Sequence, residues 1–237
     1  MDRRQVRQNL SSAQCRPDVA AAGPLAPEGP ARSPENREQS AGALQKRGLR
    51  RALTAAAEAH PGKRLRVFFQ DEARFGQKGR LCHRWWLKGQ RPPGLCDQRF
   101  DWTYLYAAVE PKTGEGFALV LPTVSTVAMN RFLADFAATL APDDHAVMIL
   151  DGAGWHASKS LVVPANLILV PLPPYSPECN PVERIWLFLR EKLMSLRVFP
   201  DQDAIIDACC DAWNALVAET GRIKSLCFPP WLQKVIS

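Results

Sequence analysis

Three acids, far apart in the chain, have the residue types and settings that could do chemistry. Residues 147–150 (Val-Met-Ile-Leu) form a short apolar run that stops at Asp151, and residues 65–70 form another that stops at Asp71, with Glu72 beside it. Glu183 lies three residues after Asn180 in Asn180-Pro181-Val182-Glu183, where a helical pattern begins. Short apolar runs bounded by turn signals read as buried strands. Carboxylates at two strand ends and in the first turn of a helix would then face the crevice at one end of a sheet. They are hard oxygen donors, and Mg²⁺ keeps several waters, so two or three suffice to hold it. Two such ions about 4 Å apart would serve phosphoryl transfer to or from DNA, activating the attacking oxygen and stabilising the leaving one.

Each acid also has a plainer reading. An Asp can simply end a strand, and Glu183 can close a capping box with Asn180. Glu72 competes with Asp71: alternation from a buried Phe69 places Asp71 on the same face and Glu72 on the other, which favours Asp71 only weakly. His156, five residues beyond Asp151, could position a phosphate or orient a water, or could be a packed residue beside Trp155. No base-and-orienter pair accompanies Ser176, so a serine nucleophile is rejected.

The elements that must carry these residues follow from pattern. Residues 1–43 are rich in Pro, Ala, Gly, Ser and Arg, lack aliphatic periodicity, and read as a disordered or linker segment. A helix is expected over 44–60, ended by Pro61-Gly62, so that 44–62 leads into a core domain spanning 63–237. Within that domain the first strand is expected at 65–70, a turn at 75–79 and a possible strand at 82–87. A hairpin of 102–109 with 116–121 and a helix over 127–140 capped by Ser125 or Thr126 come next. Strands at 146–150 and 167–170 follow. The helix opening at Asn180-Pro181 carries an apolar stripe at 182, 185, 186, 189, 193 and 196, and a last helix covers 202–218. This order makes a mixed α/β sheet flanked by helices. Trp155, Trp186 and Trp213 are expected in the core, whereas Trp85-Trp86 could stack on a base or be buried in a sheet.

Charge points to a polyanionic substrate. Residues 1–64 hold 12 Lys/Arg against 6 Asp/Glu, and residues 65–237 hold 18 of each. Within the neutral part, residues 74–99 carry Arg74, Lys78, Arg80, Arg84, Lys88, Arg91 and Arg99 against the single acid Asp97. A basic loop directly after a candidate catalytic Asp suits a phosphate backbone. No stretch approaches the roughly 20 apolar residues of a membrane span, and residues 1–14 have no apolar core of the kind a secretory signal needs. Seven cysteines without C-x-x-C spacing argue for reduced thiols and no structural zinc site. A cytoplasmic, nucleoid-associated protein is expected.

QDEARFGQKG (70–79), RWWLKGQRP (84–92), LDGAGWH (150–156) and LPPYSPECNPVERIWLFLREKL (172–193) together resemble the bacterial insertion-sequence branch of the Tc/mariner superfamily of DDE transposases. The resemblance covers roughly 45–195, and its P-Y-S-P-x-x-N-P-x-E-x-x-W block is highly specific. It implies an RNase H-like fold and a transposase using Mg²⁺ or Mn²⁺, two ions per site, to cleave and transfer DNA strands. Matched position by position, the metal-binding triad falls on Asp71, Asp151 and Glu183. Arg74, Lys78, Arg80, Arg84, Lys88 and Arg91 are then expected to grip transposon-end and target DNA, and a homodimer on DNA is implied.

Two departures stand out. Thirty-one residues separate Asp151 from Glu183, somewhat fewer than is common in the superfamily, and Gly152 stands where Asn is usual. Nothing in 1–43 reads as the helix-turn-helix module such proteins carry. A separate helix-turn-helix chain could supply it, and the alternative reading is a non-catalytic or truncated DNA-binding remnant.

Overall fold

The computed structural model of the protein describes residues 13–15, 48–77, 87–90, 99–152, 158–172, 179–195 and 197–236. Its elements in order are β1 (Ala13–Cys15), α1 (Leu49–Ala59), β2 (Arg64–Gly76), β3 (Trp102–Glu110), β4 (Glu115–Leu121), α2 (Thr126–Ala137), β5 (Asp144–Leu150), β6 (Leu167–Pro171), α3 (Glu183–Phe188), a π-helical turn (Leu189–Leu193), α4 (Gln202–Ala218), α5 (Arg222–Cys227) and α6 (Pro230–Ile236). The strands form one sheet in the order β1-β4-β3-β2-β5-β6. β2, β3 and β4 pair antiparallel, whereas β5 joins β2, β6 joins β5 and β1 joins β4 in parallel. This is the mixed sheet flanked by helices that the sequence pattern called for.

Strand alternation divides the core into two faces. Val67, Phe69 and Phe75 of β2 and Ile149 of β5 pack with Leu49, Ile185, Trp186, Ile205 and Trp213 beneath a layer of helices. Phe68, Tyr106, Phe117, Met148 and Leu150 point the other way, onto Met129, Phe132 and Phe136 of α2. The rings of Phe68 and Phe136 meet edge-on, 4.9 Å apart at 78°, a geometry aromatic quadrupoles favour. Helix α2 begins where expected: the Ser125 hydroxyl accepts the Ala128 N–H at 3.1 Å. The hairpin between β3 and β4 closes through Gly114, whose φ of 82° few other residues adopt without strain.

The main correction concerns β2. The first strand does not end at residue 70 but continues through Asp71 to Gly76, so residues 75 and 76 lie in the strand rather than in a turn. The cause is one-sided pairing. β5 accompanies β2 only up to the pair Phe69↔Ile149, while β3 stays with it to Gly76↔Trp102. The lead-in helix is seen over Leu49–Ala59, and residues 44–47 of the expected helix lie outside the described residues. The expectation for 1–43 included no strand, yet Ala13–Cys15 forms the sheet's outer edge beside β4. Cys179, Cys209 and Cys227 are buried and carry no disulfide, but Cys210 is disulfide-bonded, so the expectation of reduced thiols throughout fails there. The expected strand at 82–87 lies outside the described residues, save Leu87.

Candidate active site

The parallel register between β2 and β5 positions the first two acids. Its pairs run from Arg64↔Asp144 to Phe69↔Ile149 at a constant offset. Carried two residues further, the same register sets Asp71 level with Asp151, just where β5 ends. Asp71 lies two residues from the core residue Phe69 and thus on the helix-layer face, the face of Trp186. Glu72 points to the other face, that of Tyr106, against which it is paired across β3. Crevices at the carboxyl ends of parallel strands are the usual ligand sites of open α/β sheets.

Helix α3 delivers the third acid. The Asn180 side chain makes two bonds: its Nδ2 donates to the Gln70 carbonyl at 3.0 Å, and its Oδ1 accepts the Val182 N–H at 3.2 Å. The second has the form of an N-cap bond, one turn ahead of the helix proper, which starts at Glu183. On the same helix, Trp186 Nε1 donates to Asp71 Oδ2 at 2.8 Å. Trp186 is buried, as expected, but its N–H is spent on an acid of the site, which sequence reasoning missed. The spacing Glu183–Trp186, one helical turn, was the available signal.

Charges crowd at this point. Burial is the largest influence raising the Asp71 carboxyl well above the usual carboxylate range, followed by the negative charges of Glu183 and Glu72 and, more weakly, Asp151; the Trp186 hydrogen bond opposes them. Glu183 and Asp151 are exposed and Asp71 is half-buried, so the cluster opens to solvent. Among the described residues no three His, Cys, Asp or Glu side chains are close enough to hold a metal ion by themselves. The donor set still fits a hard divalent cation: all its ligand atoms are carboxylate oxygens, and their mutual repulsion is what such a cation relieves.

Of the expected DNA contacts, Arg74 and Lys88 are exposed, and the Arg74 guanidinium sits 5.6 Å from the Trp102 ring centroid. Arg99 instead donates to the carbonyls of Phe199 and Pro200, both at 2.7 Å, and anchors its loop. Gln77 does the same at the loop's other end, donating to the Phe199 carbonyl at 3.0 Å. Lys78, Arg80, Arg84, Arg91, Trp85, Trp86 and His156 lie outside the described residues. Sequence reasoning did not single out Arg190, whose guanidinium lies 5.3 Å from the Phe75 ring beside the site. The buried thiols of Cys209 and Cys227 are pushed up to about 12 and are not nucleophiles at neutral pH.

The family model described as DDE superfamily endonuclease matches residues 66–206, which include all three acids. An uncharacterized protein, y4pE/y4sA of Sinorhizobium fredii, is 45% identical over 133 residues, 56% of this chain and 98% of its own length. The fold is similar to that of Mos1 transposase in its paired-end complex with the left transposon end, with a TM-score of 0.55 at 15% identity over 92% of this chain. It is similar also to the Mos1 strand transfer complex, with a TM-score of 0.51 at 13% identity over 88% of this chain. The chain spans 62% and 65% of those Mos1 chains.

Proposed function

The chain belongs to the DDE superfamily endonuclease family, and we propose that it is the catalytic part of a transposase that cleaves DNA at element ends and transfers the freed strand. The observation that carries this reading is that the charges of Glu183 and, more weakly, Asp151 both bear on the buried carboxyl of Asp71. In this reading residues 63–237 are the catalytic domain, 44–62 lead into it, and Ala13–Cys15 adds an edge strand to its sheet.

Asp71, Asp151 and Glu183 would hold two Mg²⁺ or Mn²⁺ ions. Bound there, the ions supply activation of the attacking oxygen and neutralisation of the charge on the leaving one. The protein's own part is placement. The interior of β2, the end of β5 and a helix first turn hold the carboxylates more rigidly than loops could, and Asn180 and Trp186 tie that helix to β2. Arg74 and Lys88, with Lys78, Arg80, Arg84 and Arg91, would bind the phosphate backbone without reading sequence. DNA is the partner, engaged by a homodimer, and a separate helix-turn-helix chain would recognise the element ends. No described helix is long and apolar enough to cross a membrane, and we place the protein in the cytoplasm on the nucleoid.

Nicking of supercoiled plasmid by the purified chain in Mn²⁺ tests the proposal. Wild type is expected to nick, while Asp151→Asn and Glu183→Gln bind DNA but leave it intact, a loss of at least a hundredfold for a group that stabilises charge in the transition state. Equal nicking by Asp151→Asn would end this assignment. Preserved DNA binding without nicking by wild type would favour the remnant.

A further inference from the structure

We infer that Trp186 is a positioning residue of this site, setting the orientation of the Asp71 carboxylate and the separation of Asp71 from Glu183. The inference rests on the reading of those two acids as cation ligands. Trp186 lies one turn after Glu183, and Asn180 lies three residues before it. Both reach β2: Trp186 bonds Asp71 itself, and Asn180 bonds the carbonyl of the preceding residue, Gln70. Helix α3 is therefore fastened to β2 on both sides of Glu183, and one fastening is made to a ligand oxygen. The indole bond to Oδ2 fixes the plane in which the Asp71 carboxylate is presented.

Packing alone does not account for the bond. Trp213, in the same hydrophobic cluster and equally buried, has an indole N–H with no hydrogen-bond partner among the described residues. The core thus accommodates an unpartnered indole, and a phenylalanine at 186 would still meet the edge of Phe75, whose ring lies 6.3 Å from that of Trp186. What a phenylalanine cannot do is donate to Asp71. Groups that hydrogen-bond a metal ligand from behind typically contribute about ten- to a hundredfold in metal affinity.

The test is Mn²⁺ affinity, read from the electron paramagnetic resonance signal of free Mn²⁺, for wild type, Trp186→Phe and Trp213→Phe, each also melted thermally. Trp186→Phe is expected to bind Mn²⁺ about tenfold or more weakly while melting cooperatively, and Trp213→Phe to bind as wild type does. Wild-type affinity in a folded Trp186→Phe overturns the inference and leaves the metal reading standing. Absence of Mn²⁺ binding by wild type removes both. Should Trp186→Phe not fold, the indole N–H resonance that Asp71→Asn displaces decides: a shift of it in wild type on adding Mg²⁺ supports the role, and indifference to Mg²⁺ overturns it.

Discussion

Asp71 carries the heaviest electrostatic load in the site. Burial and the neighbouring acids hold its pKa above that of an unfolded Asp, about 3.9. The folded protein thus keeps a proton that the unfolded chain has lost. That stabilisation is complete below the unfolded pKa and disappears as pH rises through the folded one. Above the unfolded pKa, the cost of ionising the buried Asp71 carboxyl weighs on the metal-free fold. Asp71→Asn is therefore expected to raise the metal-free melting temperature by about 2–4 °C per kcal/mol relieved, with the gain growing as pH rises above about 4. Mg²⁺ should raise the melting temperature of wild type more than that of the variant. Scanning fluorimetry across pH checks this, and a variant that melts below metal-free wild type at pH 7 would contradict it. The sequence shows each acid where an apolar run stops or a helical pattern begins, and the structure sets Asp71 inside β2, Asp151 just after β5 and Glu183 at the start of α3. The choice of Asp71 over Glu72 hung on one step of alternation and needed the register with β5 and the indole bond. The role of Trp186 was hidden because an apolar stripe at helical spacing reads the same whether or not its indole N–H has a partner.

At the scale of elements, β2 joins two different environments. At its start Arg66 is enclosed by Glu110, Glu115 and Asp144, with side-chain exposures of 10% for Arg66, 7% for Glu110 and 1% for Asp144. Burial alone would lower the Arg66 pKa, but hydrogen bonds to Glu110 and Glu115 overcome it and raise it. Removing the cation from so enclosed a cluster leaves buried carboxylates uncompensated, at about 3–5 kcal/mol. Since Arg64 still pairs with Asp144, Arg66→Ala is expected near the lower limit in urea unfolding. Asp71 lies roughly 16 Å further along the strand, so folded Arg66→Ala should keep wild-type Mn²⁺ affinity. Loss of metal binding in the folded variant would mean the two ends are coupled. Hairpin β3–β4 and helix α2 were readable because Gly114 and Ser125 act locally. The extension of β2 to Gly76 and the π-helical turn after Phe188 were not, since the first depends on β3 outlasting β5 as a partner and the second carries no local signature. Arg190 in that turn reaches the Arg74 carbonyl at 3.4 Å, which places the irregular turn beside the site.

For the whole molecule, the fold class was legible because short continuous apolar runs mark the strands and 3.6-residue stripes mark the helices from residue 64 onward, and the family-specific block around Asn180 supplied the rest. The two short helices α5 and α6 were missed because their stability comes from packing, through Ile223, Cys227 and Leu232, onto the helix-layer face. Net charge suggests a class of substrate but assigns no individual contact, as Arg99 shows by bonding to its own chain. Arg74→Ala and Lys88→Ala should each weaken DNA binding uniformly across sequences and lower the slope of log affinity against log salt by about one; filter binding at several salt concentrations measures this, and an unchanged slope would remove that residue from the interface. The central claim is that segments around 71, 151 and 183 meet at one divalent-cation site. Fe²⁺ substituted for Mg²⁺, with ascorbate and peroxide, cuts the backbone beside the bound metal. The account predicts cuts clustered near those three positions, suppressed by excess Mg²⁺ and absent in Asp151→Asn. Cuts elsewhere, or a pattern that Asp151→Asn leaves unchanged, would contradict it.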